Sequence, residues 1–127
     1  MLLKIFKSKI HRAKITGANL QYEGSISIDQ DLLDAANLNI LESVWIWNIN
    51  NGERLMTYII PAERGSREIC LNGAAARLCQ PGDLAIITAF ADMTPEELKT
   101  FKPTVVMVDE NNNITRVLNE SGNEENI

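Results

Sequence analysis

Short β-rich runs, each cut off within a few residues by a turn signal, constrain this sequence more than any other feature. Leu3–Phe6, Ile10–Thr16 and Ser25–Ile28 open the series. Val44–Ile49 alternates, with Trp45 and Trp47 on one face and Val44, Ile46 and Asn48 on the other, the period-two pattern of a half-buried strand. Asn50-Asn51-Gly52 is a strong turn signal. Arg54–Ile60 then reads as the return strand, stopped at Pro61 because proline cannot donate to a ladder. Glu68–Leu71 ends at Asn72-Gly73, and Gln80-Pro81-Gly82-Asp83 places a proline at the second turn position. Leu84–Phe90 is apolar enough for a strand buried on both faces. Thr104–Val108 and Ile114–Leu118 flank Asn111-Asn112-Asn113 as a second hairpin.

Only two helices are credible. Asp29–Ala36 carries acids in its first turn and sets Leu32, Leu33 and Ala36 at helical spacing. Thr94-Pro95-Glu96-Glu97 is a capping box with proline at the first helical position. Many short strands with two small helices predict a mainly β chain, a barrel rather than a doubly wound α/β sheet. At 127 residues the length suits a single domain over 1–118, with an acidic tail over 119–127 expected to lack order.

Composition narrows the function. A single histidine and two cysteines cannot build a closed zinc site of His and Cys ligands, so no metal is expected. The net charge of −5 argues against a dedicated nucleic-acid binder, although the first 16 residues carry Lys4, Lys7, Lys9, Arg12 and Lys14 and no acid. The basic start lacks the apolar core of a secretory signal, and Leu84–Ala91 is far short of a membrane span. With Cys70 and Cys79 the only thiols, a reducing, cytoplasmic setting is expected, without a membrane partner.

The usual catalytic templates are missing. There is no phosphate-binding glycine loop, and His11 is the only imidazole. Three segments remain. Tyr22-Glu23-Gly24-Ser25 places a hydroxyl beside an uncrowded glycine carbonyl, which a strained serine can attack to turn the amide into an ester. Gly65-Ser66 offers the same dipeptide, and either pair alone reads as an ordinary turn. Asn72-Gly73-Ala74-Ala75-Ala76 is either a backbone cradle for a ligand or a short helical start. Arg54 and Tyr58 share one face of their strand and Thr57 points the other way, so a guanidinium and a phenol could hold a carboxylate and supply a proton.

Taken together these segments resemble the pyruvoyl-dependent aspartate 1-decarboxylases. The resemblance is collinear, from Lys9-Ile10-His11-Arg12 through Tyr22-Glu23-Gly24-Ser25, Ile28-Asp29-Gln30-Asp31, Ile46-Trp47-Asn48, Asn51-Gly52, Arg54, Thr57-Tyr58, Ala62-Glu63-Arg64-Gly65-Ser66 and Asn72-Gly73-Ala74-Ala75-Ala76 to Gly82-Asp83. It is close over residues 1–91 and looser over 92–118. The resemblance implies a double-psi β-barrel, a homotetramer with active sites between subunits, and a proenzyme that cuts itself after Gly24. The products would be a β chain of 1–24 and an α chain of 25–127, whose Ser25 becomes a covalent pyruvoyl group.

The same resemblance implies roles position by position. Ser25 is the source of the electrophile, which forms a Schiff base with L-aspartate and releases β-alanine and CO2 for pantothenate synthesis. Tyr58 resembles the proton donor, and Arg54, supported by Lys9, the partner of a substrate carboxylate. Thr57 resembles the residue that polarises the Gly24 carbonyl. Asn72 with the backbone of Gly73, Ala74 and Ala75 resembles the substrate cradle. Tyr22, His11 and Trp47 resemble pocket lining, His11 with a part in maturation. A maturation factor is a further partner left open. Two other readings are carried forward: a non-catalytic barrel that binds through residues 1–16, and a structural subunit that has lost processing.

Overall fold

A computed structural model describes residues 1–119. Nine strands and two short α-helices follow in chain order among these residues: β1 (Leu3–Lys14), β2 (Gly17–Asn19), β3 (Ser25–Asp29), α1 (Gln30–Ala36), β4 (Ser43–Asn48), β5 (Arg54–Ala62), β6 (Ile69–Asn72), β7 (Leu84–Met93), α2 (Pro95–Leu98), β8 (Thr104–Val108) and β9 (Ile114–Leu118). A 3₁₀ turn over Gly73–Arg77 sits between β6 and β7. The mainly β architecture with two helices is therefore as the sequence predicts. The sheet order is β2-β6-β3-β5-β4-β7-β1-β8-β9. Pairing is mixed: β3 runs parallel to β5 and antiparallel to β6, and β1 runs antiparallel to β7 and parallel to β8. The sheet curls far enough that Thr16 N, just past β1, donates to Ile69 O of β6 at 2.8 Å. This arrangement is consistent with a double-psi β-barrel.

The core is aliphatic. Ile10, Ile26, Ile28, Leu32, Leu33, Ile46, Ile59, Ile69, Leu71 and Ile87 are fully buried. Their positions follow from strand alternation, since Val44, Ile46 and Asn48 face inward while Trp45 and Trp47 stay half-exposed. Helix α1 starts on Asp29, whose carboxylate accepts from Asp31 N, and stops at Asn37 in the left-handed conformation at φ 56°. Helix α2 has both bonds of the capping box formed by Thr94 and Glu97.

Three local departures from the sequence reading have physical causes. Leu3–Phe6 and the Ile10–Lys14 part of Ile10–Thr16 belong to one strand, β1, which keeps its partner β7 through register shifts between Phe6 and Ser8 and between Ile10 and Ala13. Arg12 takes a positive φ of 60° in the second shift, the backbone signature of a bulge. Pro61 does not end β5, which runs on to Ala62. Ile59 exchanges its bonds with Leu41 and Glu42, on the β4 side. Two residues on, Pro61 faces the same side after β4 has ended, so its missing N–H costs no ladder bond. The short strand β2 has no counterpart in the sequence reading; its three residues pair in parallel with Cys70, Leu71 and Asn72. The proposed tail lies, beyond Asn119, outside the described residues.

Polar clamps hold the long connections. Asp29 is fully buried and accepts from the backbone N–H groups of Asp31, Gly65 and Arg67 and from the Arg67 guanidinium at 2.9 Å. Burial alone pushes its carboxyl up, but these donors together outweigh it and hold the group below the usual carboxylate range. Asn112, also buried, exchanges two 2.8 Å bonds with the Lys14 backbone and donates to Arg67 O. Lys7 and Glu42 form a part-buried bidentate pair at 2.8 and 2.9 Å, joining β1 to the entrance of β4.

Candidate active site

The two Gly-Ser pairs land in different places. Gly65-Ser66 forms an exposed turn, with Gly65 at φ 86° and Ser66 N bonded to Glu63 O, on the loop that wraps Asp29. Gly24 is exposed and Ser25, the first residue of β3, is only 1% exposed. Ser25 pairs with Asn72 across the β3–β6 ladder. Asn72 Nδ2 donates to Ser25 Oγ and to Ser27 Oγ, each at 2.9 Å. The hydroxyl beside the exposed glycine is thus held in one place by a buried amide.

A cleft of about 320 Å³ opens next to this peptide, lined by Gly24, Leu55, Met56, Thr57, Ala74, Ala75 and Leu78. That volume is at the lower end for small-molecule sites. Thr57 belongs to the inward set of β5, so strand alternation carries its side chain to the cleft that Gly24 also lines. The Asn72–Ala76 segment is both things its sequence allows. It forms a 3₁₀ turn, and the turn brings Ala74 and Ala75 to the cleft wall. Gly73 is required twice over. Its φ is +66°, and a Cβ there would lie 2.7 Å from Gly24 N, 2.8 Å from Gly24 Cα and 2.9 Å from Tyr22 O. Gly24 has neither constraint, because its φ is not positive and an added Cβ would meet nothing within 4 Å. Gly73 therefore serves a close backbone approach between the 3₁₀ turn and the Tyr22–Gly24 loop.

The remaining candidates form a second group on the outer face of the sheet. Arg54 and Tyr58 are exposed and alternate with Thr57. Arg54 lies across from Trp47 on β4, and its guanidinium stands 5.1 Å from the indole centroid. Trp47 meets Phe90 at 6.4 Å, Phe90 meets Phe6 at 6.5 Å, and the Lys9 ammonium lies 5.9 Å from the Phe6 centroid. One aromatic row thus runs from Lys9 to Arg54. Burial pushes the Lys9 ammonium below its usual range. On β1, His11 sits opposite Met107 and is not among the residues of the cleft. Its Nδ1 is buried and has no hydrogen-bond partner among the described residues. Burial first, then the charges of Lys9 and Arg12, hold its pKa below the ordinary histidine value. Tyr22 is exposed on the loop before Gly24, and its carbonyl packs against Gly73. Within one chain, then, Gly24, Ser25, Thr57, Asn72, Gly73, Ala74 and Ala75 come together, while Lys9, Trp47, Arg54 and Tyr58 gather on another face.

Sequence reasoning had no means of finding Ser27 and Cys70, which also touch Asn72. Their signal is the register of β3 against β6, which only the folded sheet supplies. Among the described residues no three His, Cys, Asp or Glu side chains stand together as a metal site. No helix among the described residues is long and apolar enough to cross a membrane.

The chain is similar to known proteins over most of its length. The family described as Aspartate decarboxylase matches residues 1–115. The aspartate 1-decarboxylase of Caldicellulosiruptor saccharolyticus is 54% identical over 125 residues, 98% of each chain. That of Parabacteroides distasonis is 62% identical over 109 residues, 86% of this chain and 94% of its own, and that of Bacteroides thetaiotaomicron 60% over 109 residues, 86% and 93%. The protein is accordingly an enzyme, a carbon–carbon lyase of the decarboxylase class. The chain belongs to the aspartate decarboxylase family.

Proposed function

We propose that this chain is a proenzyme that cuts itself between Gly24 and Ser25 and then converts L-aspartate to β-alanine and CO2, as the cytoplasmic supply of β-alanine for pantothenate. The observation that carries the reading is the Gly24–Ser25 peptide itself, exposed on its glycine side beside Thr57 and gripped on its serine side by Asn72. In the cut, Ser25 Oγ adds to the Gly24 carbonyl carbon and the C–N bond breaks, so the freed nitrogen takes the hydroxyl proton. Thr57 donates to the Gly24 carbonyl oxygen as negative charge grows on it. Loss of the Ser25 Cα proton and of the ester carboxylate leaves dehydroalanine, and addition of water with loss of ammonia leaves a pyruvoyl end. Once formed, the ketone would supply the electron sink that decarboxylation of a bound amino acid needs.

The chain's own residues do the rest. Asn72 and the backbone of Gly73, Ala74 and Ala75 cradle the substrate beside residue 25. Arg54, backed by Lys9, binds a substrate carboxylate, and Tyr58 returns the proton to carbon. These three and Trp47 stand on a face turned away from the same chain's cleft, so a complete site needs a second copy, and we propose a homotetramer with sites shared between subunits. The aromatic row supports this, since exposed Tyr58 and half-exposed Trp45 and Trp47 give that face apolar area to bury. His11 and Tyr22 are proposed to line the shared pocket.

Ser25→Ala tests the reading in the full-length protein. It removes the nucleophile with little change in volume, so the chain folds but is not cut and forms no β-alanine. Retained β-alanine formation by the uncut variant would refute the mechanism.

A further inference from the structure

Four side chains meet on one face where β3 and β6 pair. Ser25 lies opposite Asn72 and Ser27 lies opposite Cys70. Asn72 uses both Nδ2 protons, one on each serine oxygen, both at 2.9 Å. Its Oδ1 stands 3.5 Å from Cys70 Sγ, which donates to it. The thiol's other acceptor, Leu71 O, is farther at 3.8 Å. Gly17 of β2 packs on the thiol closely enough that a Cβ there would lie 3.2 Å from Sγ, which confines the sulfur. A flipped amide would turn its N–H groups to a sulfur, a weak acceptor, and its oxygen to the two hydroxyls. Only the observed orientation places an N–H on Ser25 Oγ. An N–H there stabilises the negative charge that develops on Oγ as its proton leaves, and leaves that proton free to point to another acceptor.

We propose that Ser27 and Cys70 are positioning residues for self-cleavage, holding the Asn72 amide with its N–H toward Ser25. The inference rests on the reading of Gly24-Ser25 as the cleavage site. Neither residue is part of the peptide that breaks. Ser27 occupies the second amide proton, and Cys70 supplies the donor that fixes the amide oxygen. Without Ser27 the amide keeps one good partner and gains freedom to turn away from Ser25.

The test follows cleavage of the full-length chain by intact mass over prolonged incubation at raised temperature, with circular dichroism confirming the fold. Wild type, Ser27→Ala, Cys70→Ala, Cys70→Ser, Asn72→Ala and the Ser27→Ala/Asn72→Ala pair are compared. Ser27→Ala slows cutting about ten-fold, the scale of one lost hydrogen bond. Cys70→Ala slows it by a smaller factor, and Cys70→Ser, which restores a donor, returns the wild-type rate. Ser27→Ala has no further effect once Asn72 is alanine, whereas a general structural role would add in full. A cut wild type with Ser27→Ala cutting at the same rate, or with fully additive effects, overturns this inference alone. An uncut wild type overturns unaided self-cleavage and the inference with it.

Discussion

Gly73→Ala is the sharpest perturbation of the site, because it adds one methyl at a position where the backbone leaves none. The added Cβ would lie 2.7 Å from Gly24 N and 2.8 Å from Gly24 Cα. Ordinary contact begins at 3.4 Å, so the Tyr22–Gly24 loop or the 3₁₀ turn must give by about 0.6–0.7 Å. Both contacts are to main-chain atoms, so no side-chain rotation relieves them. The φ of +66° adds the left-handed cost of a residue with a Cβ, about 1–2 kcal/mol. The displaced atoms belong to the residue whose carbonyl is attacked. A misplacement of about 1 Å can cost about a hundred-fold in rate. Gly73→Ala should therefore lower Tm and slow the appearance of the 1–24 fragment by tens of fold or more. Gly24→Ala, where the space is open, should fold as stably as wild type. The assay is a time course of fragment appearance with thermal melts of both variants. A Gly73→Ala protein that melts and cuts like wild type would refute the close-approach argument.

Thr57→Val keeps the shape of the cleft and removes its hydroxyl, and should slow cutting by about a hundred-fold or more, the loss of one donor to a developing oxyanion; unchanged fragment appearance would remove Thr57 from the mechanism. Asp29→Asn bears on acid stability. The Asp29 carboxyl is held low, so its stabilisation is complete above the unfolded value of about 4 and is lost as pH falls through the folded value. Wild type should thus lose more Tm than Asp29→Asn on acidification, and parallel curves would contradict the clamp. His11 is likewise held low, which makes its contribution complete above the ordinary histidine value and lost as pH falls through the folded one. As the single histidine it gives one resolvable imidazole signal, whose proton NMR midpoint in uncut Ser25→Ala protein should fall below 6.5.

Much of the fold is legible because its signals are local. The alternation of Val44–Asn48, the turn at Asn50-Asn51-Gly52, the Asn111–Asn113 hairpin and the Thr94–Glu97 capping box each lie within one short window. What is not legible depends on distant partners. The single long β1 needs β7 beside it to bridge two register shifts, and Pro61 is tolerated only because β4 ends before reaching it. The clamps of Asp29 and Asn112 join residues 36–38 and 98 positions apart. The site divides in the same way. Arg54, Thr57 and Tyr58 follow from strand alternation, and the resemblance singled out Gly24-Ser25 over Gly65-Ser66. The need for glycine at 73, and the contacts of Ser27 and Cys70 with Asn72, depend on how β3 meets β6 and so appear only in the folded chain.

Self-cleavage after Gly24 is read straight from the intact mass of the purified protein. Two species in equal amounts are expected, residues 1–24 and residues 25–127, the larger lighter by one ammonia than a chain beginning with serine. A single species with the mass of residues 1–127, unchanged after prolonged incubation at raised temperature, would contradict unaided self-cleavage at Gly24-Ser25.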